Sequence, residues 1–235
     1  MGAGMKIDIL TLFPEVFPGP LGSSIVGRAV KKGLVEINAL DTRSKARDTR
    51  GTVDDKPYGG GPGMLMMAEP LVDAIEEIKT EDTVVILTSP RGKVFNQQIA
   101  RELSNKKHLV IVCGHYEGVD QRAIDLAVDV EISLGDFVLS SGILPAMVIS
   151  DAVVRLLPGA LGDDESSEDE SHTNYLLEYP QYTRPAEYRG LKVPEVLLNG
   201  DHGKVKEYRR REMERLTRER RPDLWEKYLS QTKGV

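Results

Sequence analysis

With 235 residues, of which 40% are hydrophobic and 29% charged, the chain has the composition of a soluble globular protein with room for one large domain and a small appendage. No apolar run approaches the ~20 residues that a membrane helix needs, and the opening residues MGAGMKIDIL are too polar for a signal peptide. The net charge of −6 excludes a surface that is basic throughout, although residues 204–221 are mainly basic.

Cysteine and histidine content limits the possible chemistry. Cys113 is the only cysteine, so no internal disulfide can form, which is typical of a cytoplasmic protein. Because Cys113 ends an apolar run, we predict a core residue rather than a nucleophile. The four histidines show no metal-ligand spacing, and no metal site is predicted.

The first third of the chain combines short elements with an unusual loop. Residues 6–13 and 34–40 read as strands, and a helix is expected from Ser23 or Ser24 to Lys32, where Gly33 ends it. Residues 41–56 are polar and lack periodicity. They lead into PYGGGPGM at 57–64, whose glycines and prolines specify a shaped loop, and together these segments predict one long, mobile functional loop.

The middle of the chain is regular. Short β-branched runs at 83–88, 108–113 and 129–134 alternate with helical stretches at about 69–79, 96–105 and 120–127. Continuous apolar strands alternating with helices indicate an α/β fold with a parallel sheet covered on both faces.

Glycine-containing segments follow each of the three central strands: SPRG, GHYEGVD and GDFVLSSGILP. Ligands of open α/β sheets bind where loops leave the carboxyl ends of the strands, so the three segments predict one composite pocket. The alternative is that they are only tight turns.

The last third begins with a helix at 145–159, which is apolar apart from Ser150, Asp151 and Arg155 and is therefore expected to be largely buried. Asp151 and Arg155 share a helix face, as a local ion pair or as groups serving an interface or active site. An acidic, serine-rich linker follows at 162–171, and one or two helices end the chain.

Common sequence signatures are absent. The glycine loop has no Lys-Ser/Thr pair after it and is not fed by a strand, which excludes a P-loop and a dinucleotide fingerprint. No G-x-S-x-G elbow is present either. From pattern alone, the chain is an α/β protein with a three-loop ligand pocket and a flexible loop.

Five motifs in order, VDDKPYGGGPGM, GHYEGVDQR, SLGDFVLSSG, LPG-LG and YPQYTRP…YRGLKVPEVLLNGDH, resemble the bacterial tRNA (guanine-N1)-methyltransferases of the SPOUT class. The resemblance runs from about Met5 to Arg221. It implies a mainly parallel sheet with a trefoil knot and a small α-helical C-terminal domain. The implied boundaries are a knotted domain at 1–162, a flexible acidic linker at 163–174 and a tRNA-binding domain at 175–235.

The resemblance also implies a ligand for the three strand-end segments, S-adenosyl-L-methionine. The implied cofactor-binding residues are Leu87, Thr88, Ser89, Pro90, Gly114, Tyr116, Glu117, Gly118, Ser133, Leu134, Gly135, Asp136, Phe137, Val138, Leu139, Gly142 and Pro145. Glycines allow close approach of an adenine to the backbone, and Glu117 is a natural neighbour for a cation, although it could equally be an ordinary helix-terminal residue.

The glycine loop resembles the family loop that accommodates a flipped-out guanine, with Asp54 available for the guanine edge. The implied substrate-binding residues are Asp54, Tyr58, Gly60, Gly61 and Gly63. A purely structural loop is the alternative.

The family catalyses with an arginine and an aspartate. The arginine matches Arg155, which would stabilise negative charge at guanine O6. The aspartate position carries Glu170 in the segment EDESH, with Asp169 one residue earlier, so the general base is Glu170 or Asp169. Otherwise the segment is only a solvated linker. His115 and Gln121 also stand where the family usually has Arg and Glu.

The implied function is methylation of N1 of the guanosine at tRNA position 37, next to the anticodon, in the cytoplasm. The implied partners are tRNA, bound by the basic C-terminal region, and a second subunit, because two subunits form each active site in the family. The resemblance suggests that magnesium assists turnover. Two alternatives remain open: a catalytically weak RNA-binding relative, and an unrelated flavodoxin-like nucleotide binder.

Overall fold

A computed structural model of the protein describes residues 4–161, 171–172 and 174–232. The chain divides into two compact units, Met1–Gly162 and Asp163–Val235. Within the residues described, no helix has both the length and the apolar character that crossing a membrane requires.

The first unit is built around a parallel sheet. Its strands are β1 (Met5–Thr11), β2 (Val35–Asp41), β3 (Asp54–Asp55), β4 (Leu65–Met66), β5 (Thr83–Val94), β6 (His108–Cys113) and β7 (Val130–Ser133). Five of them pair in the order β2-β1-β6-β5-β7, and every pairing in this sheet is parallel. β3 and β4 form a separate antiparallel pair. The predicted α/β fold with a mainly parallel sheet is confirmed.

Helices cover both faces of this sheet. They are α1 (Pro18–Leu21), α2 (Ser24–Lys31), α3 (Ala68–Ile78), α4 (Gln97–Ser104), α5 (Gln121–Ala127) and α6 (Ile143–Val154). Successive strand side chains point to opposite faces, so Ile9 and Ile111 join one core cluster with α2, α4 and α6. Leu10 and Val110 join the other cluster with α3 and α5. Burial on both faces explains why the strands read as continuous apolar runs.

β5 is longer than predicted. The run at 83–88 was expected to end in a loop, but β5 continues to Val94, and SPRG lies inside the strand. Thr88 and Lys93 both pair with Ile132, so the residues between them bulge out of the ladder. The prediction of a strand end at Thr88 is therefore wrong in detail, because bulge residues carry the same turn signals as a true loop.

α6 is shorter than predicted and has one narrow exposed side. It ends at Val154, with Arg155 as its half-buried C-cap residue, and not near residue 159. Leu144 and Val148 are 57% and 46% exposed, and Asp151 is exposed on the same side of the helix. The rest of the helix, including Ile149 and Val153, is buried or half-buried, so the prediction of a largely buried helix is confirmed.

The segment after β2 has more local structure than its composition predicts. A 3-10 helix spans Thr42–Lys45, and Asp41 caps it by accepting a hydrogen bond from the Arg43 amide. The Asp48 carboxylate accepts hydrogen bonds from the amides of Arg50 and Thr52. Short-range bonds from aspartate to the backbone organise this loop without any apolar periodicity.

The second unit combines a small hairpin with two helices. β8 (Glu187–Tyr188) and β9 (Leu191–Lys192) are antiparallel, a 3-10 helix spans Glu195–Leu197, and α7 (His202–Arg220) and α8 (Pro222–Thr232) follow. Asp201 caps α7 by accepting from the amides of Gly203 and Lys204. Leu216 and Leu224 are buried where α7 and α8 pack together.

Candidate active site

A cavity of about 520 Å³ lies at the carboxyl ends of β5, β6 and β7. The structure brings all of the predicted cofactor residues to its wall except Gly135 and Asp136, which do not line it. The lining residues that were predicted are Leu87, Thr88, Ser89, Pro90, Gly114, Tyr116, Glu117, Gly118, Ser133, Leu134, Phe137, Val138, Leu139, Gly142 and Pro145. Gly135 instead turns the backbone with a φ of 148°, and its carbonyl accepts a hydrogen bond from the Ser133 hydroxyl.

The three strand-end segments touch one another directly. The Gly142 amide donates to the Gly114 carbonyl at 2.7 Å, and the Gly114 amide donates to the Thr88 hydroxyl at 3.3 Å. A Cβ on Gly142 would lie 1.9 Å from the Thr88 Oγ1 atom and 2.6 Å from the Gly114 amide nitrogen. Only glycine fits where these segments cross, so this contact explains the glycine in the third segment.

The glycine loop at 57–64 is anchored at one end and open at the other. Gly59, Gly60 and Gly61 have φ between 78° and 122°, and a Cβ at any of them would meet nothing within 4 Å. At Gly63, a Cβ would lie 2.3 Å from the Glu117 Cγ atom. Glycine is thus required by backbone conformation at the tip and by close packing at the anchored end.

Backbone hydrogen bonds join the anchored end to the segment after β6. The Glu117 amide donates to the Met64 carbonyl, and the Met66 amide donates to the Gly118 carbonyl. Glu117 and Gly118 also line the cavity. The loop and the cavity are therefore parts of one continuous site within the first unit.

Asp54 lies beside this cavity, as part of β3. The Tyr116 hydroxyl donates to an Asp54 carboxylate oxygen at 3.1 Å. Burial, followed by this hydrogen bond, raises the pKa of Tyr116, so its hydroxyl remains a donor at neutral pH. Tyr58, in contrast, is 98% exposed at the open tip of the glycine loop.

Of the three predicted catalytic residues, the structure describes only Arg155. Arg155 follows α6 directly and is half-buried, and its backbone amide donates to the Asp151 carbonyl at 3.1 Å. Asp169 and Glu170 lie outside the described residues.

Known proteins are similar to this chain over nearly its full length. The model of the family described as "tRNA (Guanine-1)-methyltransferase TrmD" matches residues 5–227. The chain belongs to this family. A curated relative named tRNA (guanine-N(1)-)-methyltransferase from Carboxydothermus hydrogenoformans is 54% identical over 220 residues, which cover 94% of this chain and 87% of the relative. A relative of the same name from Ruminiclostridium cellulolyticum is 53% identical over 226 residues, which cover 95% and 97% of the two chains.

Membership of the tRNA (guanine-1)-methyltransferase family implies S-adenosyl-L-methionine as the methyl donor, and the cavity residues suit it. Leu87, Leu139 and Pro145 supply apolar wall for an adenine, and the glycines leave backbone groups accessible. Glu117 supplies one carboxylate at the wall, opposite in sign to a sulfonium or ammonium. The residues that line the cavity are therefore compatible with the family's cofactor.

Several cavity residues were not predicted from the sequence. They are Leu65, Arg91, His115, Val119, Gln121, Ile132, Ser140 and Ser141. Most lie inside or next to the quoted motifs, so proximity in the chain was an available signal for them. Leu65 directly follows the glycine-loop motif, but that motif was assigned to the substrate, and the pairing of the loop with the segment after β6 brings Leu65 to the cavity.

His115 lines the cavity and is held among aromatic rings. Its ring contacts Phe13, with centroids 5.5 Å apart, and it lies edge-on to Tyr116. Burial and then the nearby Arg43 guanidinium lower the pKa of His115, so the ring is neutral at pH 7. Its Nε2 atom is buried and has no hydrogen-bond partner among the described residues.

Cys113 is fully buried in β6, and burial raises the pKa of its thiol to about 12. Its predicted place in the core is confirmed. In the ranges that the structure describes, no three His, Cys, Asp or Glu side chains form a group that could hold a metal ion.

Proposed function

We propose that the protein transfers the methyl group of S-adenosyl-L-methionine to N1 of the guanosine at tRNA position 37, beside the anticodon. One observation carries the proposal: the carboxyl ends of three strands and an anchored glycine loop form one site, in a chain of this family. Such a site has room for a donor in the cavity and for a base beside it.

The cofactor would be held by the bulge of β5 and by the segments after β6 and β7. Thr88, Gly114 and Gly142, which contact one another, would fix the cavity wall, and Glu117 would face the cationic part of the donor. When bound, S-adenosyl-L-methionine supplies an electrophilic methyl group on a sulfonium. We further propose that the crossing of these segments at Gly142 belongs to the trefoil knot of the family.

The guanine would be held by the glycine loop and Asp54. A carboxylate accepts hydrogen bonds, so Asp54 suits the N–H groups on the guanine edge. Tyr116 donates to Asp54 and would keep that carboxylate oriented toward the base. The open tip at Gly60 and Gly61 would let the backbone approach the extruded nucleotide closely.

Proton removal would be the task of the acidic segment. Guanine N1 carries a proton, and the carboxylate of Glu170 or Asp169 would accept it as the N1–methyl bond forms. Negative charge develops at O6 as the proton leaves, where the Arg155 guanidinium would stabilise it. A positioned donor of this kind contributes about 10²–10³ in rate. The methyl–sulfur bond of the donor would break as the N1–methyl bond forms, which leaves S-adenosylhomocysteine and a neutral methylated base.

The assembly we propose is a homodimer whose subunits share each active site. Exposed apolar side chains support it: Phe137 and Val138 beside the cavity are 55% and 86% exposed, and Leu144 and Val148 are exposed on α6. Apolar surface of this kind commonly marks a protein–protein interface. The basic α7 would bind tRNA phosphates in the cytoplasm, and a role for magnesium remains a prediction.

The test is methyl transfer to two tRNA transcripts that differ only in having guanosine or adenosine at position 37. We expect N1-methylguanosine, identified by mass spectrometry of the digested RNA, from the first transcript only. Binding of the first transcript without any product at saturating enzyme would contradict the proposal and favour an RNA-binding relative.

The general base is assigned by comparing Asp169→Asn with Glu170→Gln, using Glu168→Gln as a control of equal charge change in the same segment. We expect a loss of at least about 10² in kcat for the variant that removes the base, in the range of general-base contributions. Equal, near-normal activity in both variants would show that neither carboxylate acts alone.

A further inference from the structure

A second cavity lies entirely within the second unit, and none of the residues assigned to the proposed reaction lines it. It measures about 450 Å³ and is formed by residues 179–184, the end of the hairpin region and the start of α7. Its wall combines two tyrosines, two arginines and an apolar floor that includes Leu197 and Val205.

The aromatic and cationic groups of this cavity are held in place. The Arg209 guanidinium lies over the Tyr179 ring, 4.6 Å from its centroid. Tyr182 keeps 48% of its surface exposed, and its hydroxyl is the hydrogen-bond partner of Tyr208. One tyrosine is thus covered by a cation, and the other is half-exposed and carries no cation over its ring among the described residues.

The charges of the cavity are not compensated from within the described residues. Three of the six arginines of α7 pair with neighbouring glutamates: Arg210 with Glu214, Arg211 with Glu207, and Arg215 with Glu212 and Glu219. Neither Arg184 nor Arg209 forms an ion pair in the described part of the chain, and no carboxylate lines the cavity. A ligand for this site should therefore be anionic and should carry a flat apolar group.

A single-stranded nucleotide has this chemistry. Its base stacks on an aromatic ring, guanidinium groups contact its phosphate, and a concave site excludes water from the stack. We propose that this cavity binds one unpaired nucleotide of the tRNA, other than the guanosine that is methylated, with its base on Tyr182 and its phosphate at Arg184 and Arg209. The inference rests on the proposed function, because it takes tRNA as the substrate.

The first test asks whether tRNA binding depends on the aromatic ring of Tyr182. The affinity of the full-length protein for an unmodified tRNA transcript is measured by fluorescence-anisotropy titration. We expect Tyr182→Leu to weaken tRNA binding by about tenfold to a hundredfold, and Tyr182→Phe by no more than about twofold, since stacking needs only the ring. Tyr188→Leu is the matched control, because Tyr188 is also an exposed tyrosine of the second unit but lies outside the cavity.

The second test asks whether the charge of Arg209 contributes to tRNA binding. Arg209→Gln and Arg211→Gln each remove one positive charge from α7, but only Arg209 lines the cavity. A lost phosphate contact should reduce the slope of log Kd against log salt by about 0.7 for Arg209→Gln alone. Circular dichroism and S-adenosylhomocysteine calorimetry should be unchanged in all variants, which excludes misfolding as the cause.

The outcomes separate the two proposals. If the wild-type protein methylates tRNA but Tyr182→Leu and Tyr188→Leu bind it equally well, this inference is wrong and the proposed function stands. A wild-type protein that neither binds nor methylates tRNA would overturn both.

Discussion

The two ends of the central sheet use polar residues in opposite ways. Near its amino end, Asp8 is fully buried and accepts hydrogen bonds from Lys6, Asn38 and His108, and His108 also contacts Thr83. At the carboxyl end, glycines replace side chains, and the wall of a cavity is formed by groups such as Tyr116 and His115. Paired polar groups indicate a structural role, whereas groups around an open cavity are available to a ligand.

The same strands supply both ends, so the comparison can be tested by mutation. Changes at the carboxyl end should affect ligand binding or turnover with little loss of stability. The exception is a change that adds side-chain atoms where the segments meet at Gly142. Changes at the amino end should affect stability and leave the kinetics nearly unchanged.

The largest effect is expected at Arg155. Arg155→Ala should lower kcat for methyl transfer by about 10²–10³, because the charge that develops at guanine O6 loses its cation. S-adenosylhomocysteine affinity, measured by calorimetry, should stay within about twofold of the wild-type value. An unimpaired rate would remove Arg155 from this role.

At the crossing of the strand-end segments, Gly142→Ala should abolish detectable cofactor binding and destabilise the fold by about 1–3 kcal/mol, since the new Cβ would overlap the Thr88 hydroxyl. Calorimetry and urea unfolding measure the two effects. The matched control is Gly19→Ala, where a Cβ would meet nothing within 4 Å. Normal cofactor binding by Gly142→Ala would show that the crossing is not part of the cofactor site.

At the amino end, Asp8→Ala should reduce the free energy of unfolding by about 1–3 kcal/mol, because His108 and Asn38 lose a buried partner. The kinetics of methyl transfer at 25 °C should not change. A lower kcat with unchanged stability would instead show that Asp8 and its hydrogen-bond partners contribute to catalysis.

The same carboxyl group makes a directional pH prediction. Burial alone would raise the pKa of Asp8, but hydrogen bonds from Lys6, Asn38 and His108 outweigh it and lower the pKa below 3.8. Its contribution to stability is therefore complete above the unfolded-state pKa and is lost as the pH falls through the lower, folded-state pKa. Urea unfolding from pH 7 to pH 2 should show the wild type converging toward Asp8→Ala only at the acidic end of this range.

The smallest effect is expected at Tyr116. Tyr116→Phe removes the hydrogen bond to Asp54 while keeping the ring at the cavity wall, so KM for tRNA should rise about threefold to tenfold with kcat little changed. Steady-state kinetics at varied tRNA concentration measure this. Tyr58→Phe is the control, because Tyr58 lies at the exposed tip of the glycine loop and its hydroxyl is not the one that donates to Asp54.

Much of the first unit follows from local pattern. The apolar runs that became β6 and β7 and the helices between them lie within a few residues of their predicted positions, because periodicity and glycine boundaries are local signals. The cavity was predicted from one topological rule, that the carboxyl ends of parallel strands meet at one edge.

Other features depend on contacts between segments far apart in the chain. The bulge in β5 exists because Thr88 and Lys93 share Ile132 as a partner, and the exposed stripe of α6 depends on which helix face meets the sheet. Gly135 and Asp136 belong to the right segment but do not line the cavity, which only the backbone path decides. The cavity in the second unit was not predicted, although Tyr179, Tyr182 and Arg184 belong to the quoted YPQYTRP motif, because only folding brings Arg209 to them.

The amino-acid sequence alone thus determines the parallel α/β fold class and, through five ordered motifs, the family. Hydrophobic periodicity and glycine spacing record burial and backbone conformation along the chain, and both are local properties. Tertiary structure alone decided that Gly142 lies against Thr88, that Leu65 reaches the cavity and that Arg209 covers Tyr179. Each of these contacts joins residues distant in sequence, and their distances are set by the packing of whole elements rather than by any neighbouring residue.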